Sequence, residues 1–146
     1  MKKLFLLLLI LAGCTTAPPD TALLKKELMK TDQDFSQMSM DKGMRAAFLF
    51  YVADDVIKLR DGKFPIFGKK DLEADLKFVP DSLVHLRWVP VKADVDGSLG
   101  YTFGKWEMRL AIPDTTMYGV YVTIWKKQDD GTWKYVLDGG NSTPKQ

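Results

Sequence analysis

Mostly apolar residues recur at helical spacing near the start of the chain. Between positions 21 and 39 they are three or four positions apart, which places them on one face of a helix: Leu24, Leu28, Thr31, Phe35 and Met38. Asp20 or Thr21 precedes this pattern and can cap the first turn. The spacing therefore predicts an amphipathic helix over residues 21–39.

Two further helices are predicted before residue 80. The second follows Asp41 and ends at Asp54–Asp55, and its buried side consists of Met44, Ala47, Phe48, Tyr51 and Val52. The third covers residues 69–78 and stops at Pro80, because a helical conformation is disfavoured for the residue before a proline. Residues 56–60, between these helices, favour a short strand.

The second half of the chain has the composition and turn spacing that are typical of β-strands. Four segments rich in Val, Ile, Tyr, Trp and Thr are separated by turn residues and cover residues 84–95, 99–111, 117–127 and 132–138. Helices followed by antiparallel strands are typical of the α+β class. We therefore expect one domain over residues 21–143, a cone in which three N-terminal helices pack on a strongly curved antiparallel sheet.

Period-two alternation assigns the faces of the last two strands. On the third long strand, Tyr121 and Trp125 share a face with Thr123. On the last strand, alternation places Asp138 with Lys134 and Val136, on the face opposite Trp133, Tyr135 and Leu137. If the face of Asp138 lines the interior of the cone, this carboxylate lies in an apolar mouth.

The first residues have the pattern of a targeting signal. A basic start, Met1-Lys2-Lys3, precedes nine apolar residues, Leu4–Ala12, which are too few for the roughly 20 that span a bilayer. This pattern predicts a signal peptide over residues 1–13. The segment Leu11-Ala12-Gly13-Cys14 resembles the bacterial lipobox, which implies that Cys14 is lipidated and starts a tether over residues 14–20. The alternative is an ordinary signal peptide that happens to contain a cysteine.

If Cys14 is lipidated, its acyl chains insert into a membrane, so we expect a membrane to be a partner of this chain. The expected location is the bacterial cell envelope. Thr15 follows the cysteine, whereas aspartate at that position retains proteobacterial lipoproteins at the inner membrane. In a Gram-negative source, we therefore expect attachment to the outer membrane, facing the periplasm.

The amino-acid composition of the chain narrows the range of its possible functions. The chain has 146 residues with 46% hydrophobic and 27% charged residues, which suits one folded domain. Its single cysteine rules out an internal disulfide and a cysteine-based zinc site, and its single histidine, His85, rules out a histidine-rich one. The net charge of +2 is carried by Lys2 and Lys3, so the remainder is neutral, which argues against nucleic-acid binding. We expect no metal and no cofactor.

Four motifs resemble those of a known family. They are YVADDV at residues 51–56, FGKKDL at 67–72, GSLGYTFGKW at 97–106 and IWKKQDDGTWK at 124–134. Together they resemble SnoaL-like members of the nuclear transport factor 2-like superfamily, close to the ketosteroid isomerase-like families, over residues 21–143. The resemblance implies a cystatin-like cone. It also implies a cavity, which in related proteins serves isomerases, dehydratases, cyclases and epoxide hydrolases.

Two acids are candidates for catalysis within such a cavity. Asp138 near the end of the last strand could act as a base or a ligand contact, or could simply end the strand in solvent. Asp32 follows Leu28 by four residues and faces either the cavity or the surface. Tyrosine hydroxyls are candidate donors to a ligand carbonyl, with a core or rim position as the alternative. The full set of cavity candidates is Tyr51, Asp55, Trp88, Tyr101, Tyr121, Trp125 and Asp138.

No set of residues in the sequence forms a recognisable acid–base arrangement. The sequence therefore favours a lipid-anchored protein that binds a small apolar ligand without catalysis or has an accessory role. It leaves enzyme activity undecided and leans against it. One alternative is a small isomerase or lyase with an aspartate base and a tyrosine donor. Another is a structural role through a homodimer that packs on the open face of the sheet.

Overall fold

The computed structural model describes residues 20–145. Within them the chain forms three helices, α1 (Thr21–Lys42), α2 (Met44–Tyr51) and α3 (Lys69–Leu76). It also forms six strands: β1 (Val52–Arg60), β2 (Lys63–Phe67), β3 (Val84–Asp96), β4 (Leu99–Leu110), β5 (Thr115–Lys127) and β6 (Trp133–Thr143). The predicted signal peptide, Cys14 and the tether before Asp20 lie outside the described residues.

Helix α1 starts where the sequence predicts. The Asp20 carboxylate accepts hydrogen bonds from the backbone N–H groups of Ala22 and Leu23, which satisfies two donors of the first turn. The helix continues past residue 39 to Lys42, and Gly43, with φ of +89°, separates it from α2. A positive φ is readily adopted by glycine, so the chain passes from one helix to the next there without strain.

Helix α2 ends earlier than predicted, at Tyr51. Val52 already pairs with Tyr135 of β6, so the backbone becomes extended at this point and finds its hydrogen bonds in the sheet. Asp54 and Asp55 are exposed residues of β1, and the prediction that they end the helix is wrong. The YVADDV motif thus marks a change from helix to strand, with Val56 fully buried on the inner face.

The six strands form one sheet in the order β2-β1-β6-β5-β4-β3. Strands β1 and β6 run parallel and all other neighbours are antiparallel, so the expected purely antiparallel sheet is corrected to a mixed one. The sheet is also not strongly curled. The helices contact this sheet, which confirms the α+β class.

A β-bulge in β6 changes the predicted faces. Trp125 of β5 pairs with Tyr135, but the adjacent Ile124 pairs with Leu137, so Val136 is an extra residue in β6. Beyond the bulge, alternation resumes one residue out of step. Asp138 therefore pairs with Thr123 and is buried like Tyr135, instead of lying on the opposite face as predicted.

The core between helices and sheet is aromatic. Phe35 of α1 lies at its centre, with ring centroids 4.9 Å from Phe48, 4.5 Å from Trp88 and 5.6 Å from Tyr135. By contrast, Val89, Phe103 and Val122, on the neighbouring strands β3, β4 and β5, are exposed. Within residues 20–145, no helix has both the length and the apolar character needed to cross a bilayer.

Candidate functional site

A cavity of about 180 Å³ opens to solvent between the helices and the inner face of the sheet. Its apolar wall is formed by Phe35, Phe48, Leu59, Trp88, Trp106 and Tyr121. Polar groups are contributed by Lys58, Asp61, Thr123, Asp138, Asn141 and Ser142. Pockets for drug-sized ligands measure about 300–1,000 Å³. This cavity therefore suits a smaller molecule.

Asp138 lies in the cavity wall because the β6 bulge turns it inward. One carboxylate oxygen, Oδ1, accepts a hydrogen bond of 2.6 Å from the Thr123 hydroxyl. The other, Oδ2, accepts one from the ammonium group of Lys58, which is directly opposite in the parallel β1–β6 register. The carboxylate thus has a cation and a hydroxyl as fixed partners, as a buried charge requires.

Asp32 is inside the protein, so its alternative position on the surface is excluded. Its oxygens accept hydrogen bonds of 2.7 Å from the Trp88 indole N–H and 2.7 Å from the Tyr121 hydroxyl. Burial raises the pKa of Asp32, opposed by these bonds and by one from Thr102, while the charge of Asp138 raises it further. Asp32 is not part of the cavity wall, which Tyr121 and Trp88 line instead.

Tyr121 connects Asp32 to the cavity. Burial, followed by the charge of Asp32, raises the pKa of its phenol, so the phenol stays protonated. The indole N–H of Trp88 donates to Oδ1 of Asp32, and the Tyr121 hydroxyl donates to the other oxygen, Oδ2. The Tyr121 proton is therefore directed at Asp32, and only oxygen lone pairs remain for a ligand.

The other buried donors of the wall are also used within the protein. The Trp88 N–H points to Asp32, and the Thr123 hydroxyl points to Asp138. The indole N–H of Trp106 donates to the carbonyl oxygen of Val120 at 3.1 Å. Of the buried wall, only the Lys58 ammonium has N–H groups beyond the one it gives to Asp138. The inner wall thus offers mainly acceptors.

The structure does not bring all predicted cavity residues together. Trp88, Tyr121 and Asp138 line the cavity, whereas Tyr51, Asp55, Tyr101 and Trp125 do not. The four residues outside the cavity are placed there by the end of α2 at Tyr51 and by the strand positions of Asp55, Tyr101 and Trp125.

Each of these four residues has another environment. Tyr51 packs against Phe35 with a centroid distance of 4.9 Å, and burial raises its pKa. Asp55 is exposed on β1. Tyr101 borders a shallow surface depression beside Leu99. Trp125 is fully buried, and its N–H donates to the Thr102 hydroxyl at 2.9 Å.

Sequence reasoning missed Lys58, Thr123 and Phe48 as part of the site. Thr123 shares the predicted face of Tyr121, so alternation could have found it. Lys58 faces Asp138 only because β1 pairs with β6, and no local pattern predicts that pairing. In the described part of the chain, no cluster of three His, Cys, Asp or Glu side chains could hold a metal ion.

Comparison with known proteins identifies the fold. No family model and no curated protein matches the sequence. A nuclear transport factor 2-like protein of unknown function from Pseudomonas putida has a TM-score of 0.70 at 11% identity, over 84% of this chain and 89% of that one. A protein with a cystatin-like fold from Novosphingobium aromaticivorans has a TM-score of 0.69 at 13% identity, over 86% of each chain.

A third similar structure is a putative ketosteroid isomerase from Parabacteroides distasonis, with a TM-score of 0.66 at 16% identity, over 83% of this chain and 89% of that one. These similarities confirm the nuclear transport factor 2-like, cystatin-like fold that the motifs predict. At such low identity they establish the fold alone, because one fold serves many functions.

Proposed function

We propose that this chain is a lipid-anchored cell-envelope protein whose cavity binds a small molecule without converting it. The observation that carries this proposal is the direction of the hydrogen-bond donors. An oxyanion-type site needs donors aimed at the position where negative charge develops. Here the Tyr121 hydroxyl and the Trp88 indole both point at Asp32, away from the cavity.

The candidate base is engaged as well. Both oxygens of Asp138 have partners, the Thr123 hydroxyl and the Lys58 ammonium. The Asp138 carboxylate is therefore held by groups of the protein itself, as in a structural ion pair. Aromatic walls with a few fixed polar groups are instead typical of binding pockets.

A second candidate function is a small isomerase or lyase. One observation favours it, since Asp138 and Tyr121 line the same cavity and could act on one ligand. It would require Tyr121 to turn its proton from Asp32 to the substrate. The bond of 2.7 Å to a buried carboxylate opposes that rotation.

The anchor is part of the proposal. Lipidation of Cys14 would connect the domain to a membrane through residues 14–20, which end at the first turn of α1. Acyl chains contribute about 0.8 kcal/mol per buried CH₂ group, so several chains give stable attachment. The domain would then face the periplasm from the outer membrane of a Gram-negative cell.

Co-purification tests the binding function. The full chain is extracted from membranes in detergent, and the small molecules it releases on denaturation are identified by mass spectrometry. We expect a specific compound with the wild type and its loss in Ser142→Trp, which places an indole at the cavity mouth. Ser98→Trp, on the exposed β3–β4 turn, is the matched control.

Two results would contradict this proposal. An unchanged set of molecules in Ser142→Trp would mean that the cavity does not bind them. Conversion of the co-purified compound to a product by wild-type protein, absent from Asp138→Asn, would establish the enzyme alternative.

A further inference from the structure

We propose that the cavity is selective for small organic cations, meaning amines that are protonated at neutral pH and carry one compact apolar group. This inference rests on the proposed binding function and adds the chemical class of the ligand. It is carried by three features of the wall: its charge, its unused hydrogen-bonding capacity and the position of the chain's own ammonium group.

The charged groups of the wall sum to a negative value. Asp61 and Asp138 are the acids, and Lys58 is the base. Asp138 and Lys58 neutralise each other as a pair, so the carboxylate of Asp61 at the mouth is left as the excess charge. A cationic ligand that enters past Asp61 is favoured by this field, and an anionic one is opposed.

Hydrogen-bonding capacity points to the same class. The hydroxyl groups of Tyr121 and Thr123 donate hydrogen bonds to Asp32 and Asp138, so their oxygens present lone pairs to the cavity. Apart from the remaining N–H groups of Lys58, the buried wall offers acceptors, so a ligand with several donors fits it best. A protonated amine brings up to three N–H groups, whereas a ketone or a carboxylate brings none.

The chain itself places an ammonium group against this wall. The Nζ atom of Lys58 contacts the Asp138 carboxylate and lies 5.0 Å from the centroid of the Phe48 ring. Cations bind aromatic faces within about 6 Å of the centroid. The rings of Trp88 and Trp106 also line the cavity, so a ligand cation can find an aromatic face there.

Three probes of similar size and different charge test the inference. Benzylamine, benzyl alcohol and benzoate are titrated into the full chain in detergent at neutral pH, with calorimetry as the readout. We expect benzylamine to bind about ten-fold more tightly than benzyl alcohol, because a desolvated cation–aromatic contact and the charge of Asp61 add to the same apolar contacts. Benzoate should bind more weakly than either.

Two substitutions then locate the effect. Lys58→Met keeps the apolar stem but removes the ammonium, which leaves the Asp138 carboxylate to the ligand. Benzylamine affinity should rise by about ten-fold or more, because the ligand replaces the lost partner of a buried charge. Benzyl alcohol affinity should change by less than about two-fold, because it carries no charge.

A milder variant covers the case in which Lys58→Met does not fold. Asp61→Asn changes an exposed turn residue and retains a residue pair that suits the Asp61–Gly62 turn. Benzylamine affinity should fall by about two- to five-fold, the effect of one exposed charge pair. Asp129→Asn, with the same charge change on the distant β5–β6 turn, should leave the affinity unchanged.

The outcomes separate this inference from the proposed function. Binding of benzoate or benzyl alcohol as tight as that of benzylamine would overturn the selectivity for cations and leave small-molecule binding intact. Equal effects of Asp61→Asn and Asp129→Asn would also overturn it. Failure of all three probes to bind the wild type, together with no co-purified compound, would overturn both.

Discussion

The hydroxyl of Tyr121 on β5 donates a 2.7 Å hydrogen bond to the carboxylate of Asp32 on α1, across a separation of 89 positions in the sequence. This bond connects the first helix to the middle of the sheet. It also determines the hydrogen-bonding character of the cavity wall, because the phenol proton points away from any ligand and the phenol oxygen remains as an acceptor.

Loss of the Tyr121 hydroxyl should destabilise the protein. Tyr121→Phe leaves one oxygen of a buried carboxylate without its donor, which costs about 1–3 kcal/mol in free energy of unfolding. Urea denaturation of the two proteins measures this difference. Tyr118→Phe on the same strand, where the ring is only partly buried, should change the free energy by less than about 0.5 kcal/mol. Equal changes would argue against a special role for the Tyr121–Asp32 bond.

Asp32 should make stability depend on pH. Because burial raises its pKa above the usual 3.8, the folded state holds this proton more tightly than the unfolded state. The contribution of Asp32 to stability is therefore complete below the unfolded pKa and is lost as the pH rises through the folded pKa. Above that point, it no longer changes with pH.

Asp32→Asn removes this titration. The stability of the wild type relative to Asp32→Asn should fall with increasing pH over the acidic range and then level off, as measured by denaturation from about pH 4 to pH 8. Asp55→Asn, at an exposed position of β1, is measured in parallel as a control for the Asp-to-Asn substitution itself. A relative stability of Asp32→Asn that is constant over this range would contradict the burial argument.

Sequence patterns predicted the fold well wherever the structure of a segment depends on its near neighbours in the chain. The spacing of Leu24, Leu28 and Phe35 gave α1, and turn residues gave the four long strands, because these signals depend only on near neighbours. The end of α2 was predicted too late. Its true end is set by pairing of β1 with β6, and residues 52–60 carry no local signal for a partner so distant in sequence.

The site was harder to predict than the fold. Asp138 and Tyr121 were recognised as candidates, but the bulge at Val136 is invisible to a strict alternation of faces, and it determines where Asp138 points. Lys58 was missed because a lysine in a short strand reads as a surface residue. Only the tertiary register places its ammonium against Asp138.

Cys14 should determine attachment to the membrane. Cys14→Ala removes the thiol that would carry the acyl chains, so the protein should move from the membrane fraction to the soluble fraction or stay as unprocessed precursor. Fractionation followed by mass spectrometry of the N-terminal peptide distinguishes these forms. A correctly processed Cys14→Ala protein that still sediments with membranes would contradict Cys14 as the anchor.

The exposed face of the sheet should mediate a homodimer. Phe103 and Val122 are paired across β4 and β5 and are both exposed, as is Val89 of β3. Exposed apolar side chains that are contiguous are typical of an interface. Val122→Lys should shift the sedimentation coefficient of the full chain in detergent from dimer to monomer, while Leu23→Lys on α1 should not. A wild-type monomer at high concentration would exclude this interface.

Gly119 should be intolerant of any side chain, for a reason that links the sheet to the cavity. A Cβ atom at this position would overlap the Trp106 ring and the backbone carbonyl of Asn141, both of which belong to residues of the cavity wall. Gly119→Ala should therefore lower the free energy of unfolding by about 1–3 kcal/mol and weaken ligand binding, because Trp106 must move.

Gly131→Ala separates this steric effect from backbone strain. Gly131 has φ of +84° in the β5–β6 turn, and a Cβ there would meet open space. This variant should lose about 1–2 kcal/mol through the left-handed conformation and retain its ligand affinity. Denaturation and titration of both variants give the two quantities for each. Since strain in a turn cannot move Trp106, an equal loss of affinity in the two proteins would mean that global destabilisation, rather than the shape of the cavity, governs binding.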